Sequence, residues 1–455
     1  TGLDDGRIAD ALIGETEGID QTSTFYAAVQ RLPPATWLCM RDGDVVQQRY
    51  WQPVGDRPSN LPRSEAEWIE AQRERLDIAV RQRLRSQRPV GSMLSGGLDS
   101  SSVVALASEA CAAEGRPPFP VFSATNAADP DCLETRAIRA VLTHVRCAPV
   151  FVDLQDFQHR QTRAHRLWEE AGEPFDGTML LVAVLYEAAA VDGVASVMDG
   201  FPADNLYTTG RRAKHLFEQG RWREAWQSAV IQWQLPWVRF PRLHALRVMA
   251  GCMAPAPVHR LRDHLGQAHE YNGLLRNSLV DRQFAARTGL RERYGRYRRT
   301  IGGSHQWHES GDALSSLAAP YITAGMERYN RVASLYGVEP RPPYADRDLI
   351  EFQAWMPLSL RIRDGHLKWV LRQAMAGLLP NDIAWRRDKH HVGWQFTRSL
   401  LLETCATGKM PAYPPESYWL DEQRMLTATQ HPATPQGNGL PAALFTLLWW
   451  HNHRQ

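Results

Sequence analysis

A chain of 455 residues is long enough for two or three domains, each with a core of its own. Its 44% hydrophobic and 22% charged residues are ordinary for a soluble globular protein, and a net charge of +2 supplies no field that would point to nucleic acid as a partner. No apolar run approaches the ~20 residues of a membrane span, and no signal-peptide pattern opens the chain, whose first residues, TGLDDGRIAD, read as the interior of a protein.

Six cysteines lie far apart with no C-x-x-C pair, which argues against a zinc site or disulfide scaffold and fits a reducing cytoplasm. Only Lys214, Lys368, Lys389 and Lys409 are lysines among 52 basic residues. Arginine-biased coding accounts for that scarcity, and each retained lysine merits attention because the two side chains are not interchangeable.

In chain order, residues 23–51 (STFYAAVQRLPPATWLCMRDGDVVQQRYW) predict short strands with turns at Pro33-Pro34 and Asp42-Gly43. After a polar linker, QPVGDRPSNLPR, the capping box Ser64-x-x-Glu67 opens a helix with Trp68, Leu76, Ala79 and Leu84 on roughly one face. From residue 88 strands and helices alternate. PVGSML, FPVFSAT, APVFVDL and VASVMDG read as strands; SSVVALASEACAA, CLETRAIRAVLTHV and MLLVAVLYEAAAVDG read as helices. This rhythm predicts an α/β fold, a parallel sheet flanked by helices, with a ligand site beyond the carboxyl ends of the strands. Residues 205–310 break the rhythm and read as a helical insertion rich in Arg and Trp. Within it RQFAARTGLRERYGRYRR (282–299) is either a solvated helix face or a docking patch for an acidic segment. The expected organisation is a β-rich N-terminal segment over 1–60 and a main domain over 61–455, with the insertion at about 205–310.

The junction between the first sheet strand and its helix reads VGSMLSGGLDSSSVVALA, residues 90–107. A helix start offers orphan N–H groups and the positive end of the dipole. Gly96 and Gly97 let an anion approach the backbone, and Ser95, Ser100 and Ser101 offer hydroxyls to phosphate oxygens. Asp99 would repel phosphate unless it holds Mg²⁺ that bridges to it. No Gly-Lys-Ser/Thr follows, so this is not a Walker loop. The plain alternative is a glycine turn capped by serine.

SGGLDSS resembles the pyrophosphate loop of the ATP pyrophosphatases, and the chain apart from 205–310 is similar to the synthetase domain of asparagine synthetases. The resemblance implies ATP and Mg²⁺ as cofactors, an acyl-adenylate, and an amine that attacks it to form an amide. It implies pyrophosphate contacts from Leu94, Ser95, Gly96, Gly97, Asp99, Ser100 and Ser101. VMDGFPADN (197–205) resembles the family's G-x-G-A-D segment, which puts Gly200 at the nucleotide and Asp204 beside Asp99 as a second metal ligand. Phe201, Pro202 and Asn205 depart from that pattern, and a phenyl ring at 201 can do no proton chemistry. VFSATNAADPDCLET (121–135) resembles the loop that clasps adenosine, with Phe122 and Ser123 as contacts through backbone groups. Asp131 and Glu134 there fit either a nucleotide contact or a helix-start pair.

Glu339, Arg341, Pro343 and Asp346 match the family's G-V-E-A-R-V-P-F-L-D segment and read as a charged turn before a helix, with Arg328 and Arg341 also open as contacts to substrate or phosphate. Lys368 fits the helix motif K-x-x-L-R. Lys389, in R-x-K-x-x-x-G, aligns with the lysine that similar enzymes place at the reacting centre, where it offsets developing negative charge. Arg387 is a further phosphate-contact candidate. An attacking ammonium needs a base, and Glu309 or Asp312 falls nearest the family's acidic position.

T-F-Y-x-x-V-x-R-L-P-P followed by R-Y-W resembles the tail of the family's glutaminase domain, while Thr1 does not match its catalytic start. The expectation is a chain that does not release ammonia from glutamine. A branch with a degenerate N-terminal domain includes β-lactam synthetases and lasso peptide cyclases. The Arg/Trp-rich insertion, GLLPNDIAWRRDK and the loss of a polar residue at 201 look most like the cyclases. In those, an Asp or Glu side chain of a peptide is adenylated and the peptide's own α-amine closes a macrolactam, an intramolecular attack that supplies much of the rate. The partners so implied are a peptide substrate, a leader-peptide-binding protein and a cysteine protease. The alternatives are an asparagine synthetase without its glutaminase portion and a non-catalytic nucleotide-binding scaffold.

Overall fold

The computed structural model describes residues 2–14, 16–51, 59–154, 170, 172–174, 179–207, 212–232, 240–253, 256–302, 320–387 and 418–424. Helix α1 (Asp5–Ile13) opens the chain from Asp4, whose side chain accepts the Arg7 N–H at 2.8 Å. The N-terminal segment is therefore helical before it is β. Strands β1 (Thr36–Arg41) and β2 (Asp44–Arg49) pair antiparallel across Asp42-Gly43. Both turn residues have positive φ, 51° and 89°, the conformation that an Asp-Gly hairpin turn favours. Helix α2 (Glu65–Arg83) starts at the expected capping box. Ser64 Oγ accepts the Glu67 N–H at 3.2 Å, while Glu67 reaches back at 2.7 Å to the Arg63 N–H rather than to that of Ser64.

The central sheet has five parallel strands: β3 (Val90–Met93), β4 (Phe119–Thr125), β5 (Cys147–Asp153), β6 (Ser196–Met198) and β7 (Glu339–Pro340), in the order β5-β4-β3-β6-β7. The first four are the strands read from the sequence. β7 is two residues long and contains a proline, too short for any periodicity to reveal. Successive strand residues point to opposite faces. Val121 joins a core with α2, α3 (Leu98–Ala113) and α4 (Leu133–Leu142), while Phe122 joins another with α5 (Met179–Val191) and the helix Pro320–Ser334. Leu76, Val80, Val103 and Val104 are fully buried on the first face, each contributing roughly 1.5–3 kcal/mol relative to exposure.

Ile8, Ala9 and Phe25 share a third core with Val280, Phe284, Leu290, Trp419 and Leu420. Residues 212–302 supply the helices Arg212–Glu218, Trp222–Gln232, Pro241–Met253, Ala256–Asn277, Arg282–Arg287 and Leu290–Gly302. Three arginines of the 282–299 stretch are engaged internally. Arg293 pairs with buried Asp10 at 2.5 Å, Arg298 with Glu270 at 3.2 Å, and Arg287 lies 4.2 Å over the Tyr418 ring. Among the described residues Cys39, Cys111, Cys132 and Cys147 are free thiols, and no helix is long and apolar enough to cross a membrane.

Candidate active site

β3 ends at Met93 and the chain passes through Leu94–Gly97 into α3, with Gly97 as N-cap and no side-chain cap among the described residues. The first-turn N–H groups and the positive dipole end are thus left for a ligand. Ser95 and Ser100 set the loop's shape. Their hydroxyls lie 3.1 Å apart, the Ser95 N–H donates to Ser100 Oγ at 3.2 Å, and the Gly97 N–H donates to Ser95 Oγ at 3.4 Å.

Two loop residues play other parts than expected. Gly96 has φ of 69°, and a Cβ there would stand 2.7 Å from both Ala137 Cβ and Ile138 N. Its lack of a side chain lets α4 pack on the loop rather than opening the backbone to an anion. Ser101 is fully buried within α3, its hydroxyl without a hydrogen-bond partner among the described residues, and it does not line the cavity described below.

Gly200 follows β6, and a Cβ on it would stand 2.9 Å from Asp99 Cβ and Ser100 N. Glycine there allows the end of β6 to close on α3, which brings Asp204, in the first turn of the helix Ala203–Leu206, beside Asp99. Arg361, buried, holds that short helix from its far end, donating to Leu206 O at 2.8 Å. Between the two carboxylates stands Lys368: its Nζ lies 2.5 Å from Asp99 Oδ2 and 2.6 Å from Asp204 Oδ1.

Lys368 reaches this place through a hairpin. β8 (Ile362–Arg363) and β9 (His366–Leu367) pair across Asp364-Gly365, whose φ values are 50° and 75°. Lys368 then adopts a left-handed conformation, φ 59° and ψ 39°, as N-cap of the helix Trp369–Ala374. A non-glycine residue held there costs on the order of 1 kcal/mol, the kind of local strain that clusters at functional sites. Burial alone would lower the Lys368 pKa, but the charges of Asp99 and Asp204 outweigh it and hold the ammonium above its ordinary value.

These residues line a cavity of about 850 Å³ at the carboxyl end of the sheet, within the roughly 300–1,000 Å³ common for small-molecule sites. Of the expected contacts, Leu94, Ser95, Gly97, Asp99, Ser100, Gly200, Asp204 and Arg387 line it. Phe122 and Ser123 do not. The Phe122 ring is fully buried in the core beneath α5, and the Ser123 hydroxyl donates to Leu94 O at 2.9 Å inside the sheet. Glu134 lines the cavity, whereas Asp131 is exposed and turns its N–H to Asp129 at 3.0 Å. Arg341 is committed to Glu339 at 2.6 Å and to the carbonyls of Arg83 and Arg85, and Arg328 is ion-paired with Glu17, so neither lines the cavity. Asp346 caps the helix Arg347–Ala354 and pairs with Arg83 at 2.9 Å, the structural role read for that segment. Lys389, Glu309 and Asp312 lie outside the described residues.

Sequence reasoning passed over Arg372, Arg386, Asp199 and Tyr329, all of which line the cavity, and gave Lys368 only a helix motif. Arg372 is buried, donating to Leu367 O at 2.7 Å and Ala384 O at 2.6 Å, and burial lowers its pKa to about 10. The Asp-Gly turn just before K-x-x-L-R was the available signal for the lysine. The others carried none, because their convergence depends on which helices meet across the sheet.

Asp99 and Asp204 suit a divalent cation. They come from different elements, they already hold a positive charge between them, and Asp99 Oδ1 is buried with no hydrogen-bond partner among the described residues. No group of three or more His, Cys, Asp or Glu side chains is placed to hold a metal among those residues. Two carboxylates completed by phosphate oxygens and water are the usual provision for Mg²⁺.

Comparison with known proteins agrees with this geometry. The chain is 21% identical over 377 residues to asparagine synthetase [glutamine-hydrolyzing] 3 of Bacillus subtilis, covering 80% of this chain and 54% of that protein. It is 41% identical over 92 residues to amidase chry2 of Gibberella zeae and 37% over 91 residues to amidase chyE of Penicillium rubens, in each case 20% of this chain and 14% of the relative. The chain thus spans about half or less of the length of the curated relatives it matches. Residues 71–451 match the asparagine synthase family, and the chain belongs to that family.

Proposed function

We propose that the chain is an ATP- and Mg²⁺-dependent amide ligase acting through an acyl-adenylate, and that it closes a peptide macrolactam as lasso peptide cyclases do. The observation that carries the ligase reading is the convergence of Asp99, Asp204 and Lys368 at the uncapped start of α3. Asp99 and Asp204 would hold Mg²⁺, which would offset charge on ATP while a substrate carboxylate is activated and pyrophosphate is released. The first-turn N–H groups of α3, with Ser95, Gly97 and Ser100, bind the departing pyrophosphate. Lys368 stays an ammonium at neutral pH and stabilises negative charge that builds as the acyl carbon is attacked. Arg372 and Arg387 extend the positive wall, and Lys389 is proposed to act at the same centre.

What supports a peptide rather than ammonia as the amine source is the other wall. Phe201 stacks on Tyr329 with centroids 5.4 Å apart, and Leu181, Leu185 and Met93 continue the apolar surface. Such a wall suits the body of a peptide, whose two reacting ends are then held together. A leader-peptide-binding protein and a cysteine protease, in the cytoplasm, complete the reading.

The test supplies ATP, Mg²⁺ and peptides carrying a free α-amine and an Asp or Glu at ring-forming spacing. The expected result is pyrophosphate release with a product lighter by one water. Asparagine made from aspartate and ammonium instead would overturn the peptide reading, and no pyrophosphate with any carboxylate would overturn the ligase reading.

A further inference from the structure

Among the described residues four acids line the cavity: Asp99, Glu134, Asp199 and Asp204. Asp99 and Asp204 hold Lys368, but Asp199 stands apart from them. It directly follows β6, where Met198 joins the core on the α3 side and Val197 the core under α5. Alternation therefore carries Asp199 to the α5 side, with the peptide wall rather than the phosphate loop. Its Oδ1 accepts the Phe201 N–H at 2.9 Å. That is its only hydrogen bond among the described residues, which leaves Oδ2 for the cavity. Tyr186 of α5 interacts with it: burial first, and then the Asp199 charge, raises the Tyr186 phenol, whose hydroxyl has no hydrogen-bond partner among the described residues, and Tyr329 of the helix Pro320–Ser334 lines the same cavity. The cations of the lining gather round Asp99 instead: Lys368 pairs with it, and Arg372 feels its charge together with those of Arg386 and Arg387.

Phe201 removes any proton chemistry from its own position, yet an attacking ammonium must lose a proton. We propose that Asp199 is the base that takes it, the amine entering between Asp199 and the Phe201–Tyr329 pair; this rests on the amide-ligase reading. The role left between Glu309 and Asp312 by the sequence then falls to Asp199. The ammonium gives one proton to the Asp199 carboxylate and becomes a neutral amine. Its nitrogen lone pair forms the C–N bond to the acyl carbon. The C–O bond to the adenylate breaks, its electron pair leaves on the AMP phosphate, and the second N–H proton goes with it. Burial pushes the Asp199 pKa up to about 7, opposed by the Phe201 N–H, which matches the base to neutral pH.

The experiment compares the wild-type chain with Asp199→Asn using the peptide that the pyrophosphate assay identifies. Carboxylate-dependent ATP–pyrophosphate exchange should stay within about threefold, while lactam formation at pH 7 falls by roughly 100-fold or more. Hydroxylamine, already neutral at that pH, should still trap the acyl group as a hydroxamate at near wild-type rate. The infrared carboxyl band of Asp199, wild type minus D199N, should vanish as pH rises through about 7. Unchanged lactam formation, equal loss of exchange and lactam, or no such band at acid pH would each overturn the role. A wild-type chain that releases no pyrophosphate overturns the ligase reading and this role with it.

Discussion

Lys368→Met keeps most of the side-chain stem and removes the charge between Asp99 and Asp204. The ammonium is nearly buried and touches both carboxylates, at 2.5 and 2.6 Å. Stripping one partner from a buried ion pair costs roughly 3–5 kcal/mol. The Asp204 side chain is 59% exposed, so solvent screens part of that loss and about 2–3 kcal/mol is expected. Because the folded-state pKa of Lys368 is raised, its contribution is fully present below the unfolded value and is lost only as pH rises through the higher folded one. The difference between wild type and variant should therefore be flat across neutral pH. Urea titration measures it, and millimolar Mg²⁺ should restore part of the stability of Lys368→Met but not of the double variant with Asp204→Asn. If Lys368 also stabilises charge in the reaction, kcat should fall by roughly 10²–10³-fold. An unchanged urea midpoint, or one that Mg²⁺ leaves where it was, would refute the cluster as a cation site.

Gly200→Ala forces a Cβ to 2.9 Å from Asp99 Cβ, so it should cost about 1–3 kcal/mol and displace Asp204, weakening the Mg²⁺ dependence of pyrophosphate release; an unaltered magnesium titration would count against the close approach. Arg341→Ala should lower stability by about 1–2 kcal/mol with nucleotide affinity unchanged within about twofold, measured by urea titration and calorimetry, because its guanidinium ties Glu339 to two carbonyls away from the cavity. Asp199→Asn should flatten stability against pH. The buried carboxyl is neutral in both states below its unfolded value, and the penalty of ionising it accumulates between about pH 4 and pH 7, at most roughly 4 kcal/mol. Parallel wild-type and variant curves over that window would show that Asp199 ionises as freely as in the unfolded chain.

Much of the scaffold was legible in local pattern. β4 matches the run FPVFSAT residue for residue, and the Ser64 cap and the Asp42-Gly43 turn lie where their chemistry places them. These features answer to neighbours a few positions away, which is why a linear reading finds them. That Asp99 and Asp204 lie on one cavity was expected on two grounds, the strand-to-helix junction for Asp99 and the resemblance of VMDGFPADN to the family segment for Asp204.

The α3 loop and the four longer strands follow from the sequence by itself, since hydrogen-bonding period and turn chemistry are local properties. Only tertiary structure decided that Lys368, 164 positions from Asp204, stands between the acids. It likewise decided that Gly96 serves the packing of α4, that Phe122 turns into the core, and that Asp199 is buried beside the aromatic wall. The reason is physical. Burial, electrostatic partnership and the face a side chain takes are set by which elements pack across the sheet, and that packing is decided by the summed burial of two cores rather than by the residues beside each position.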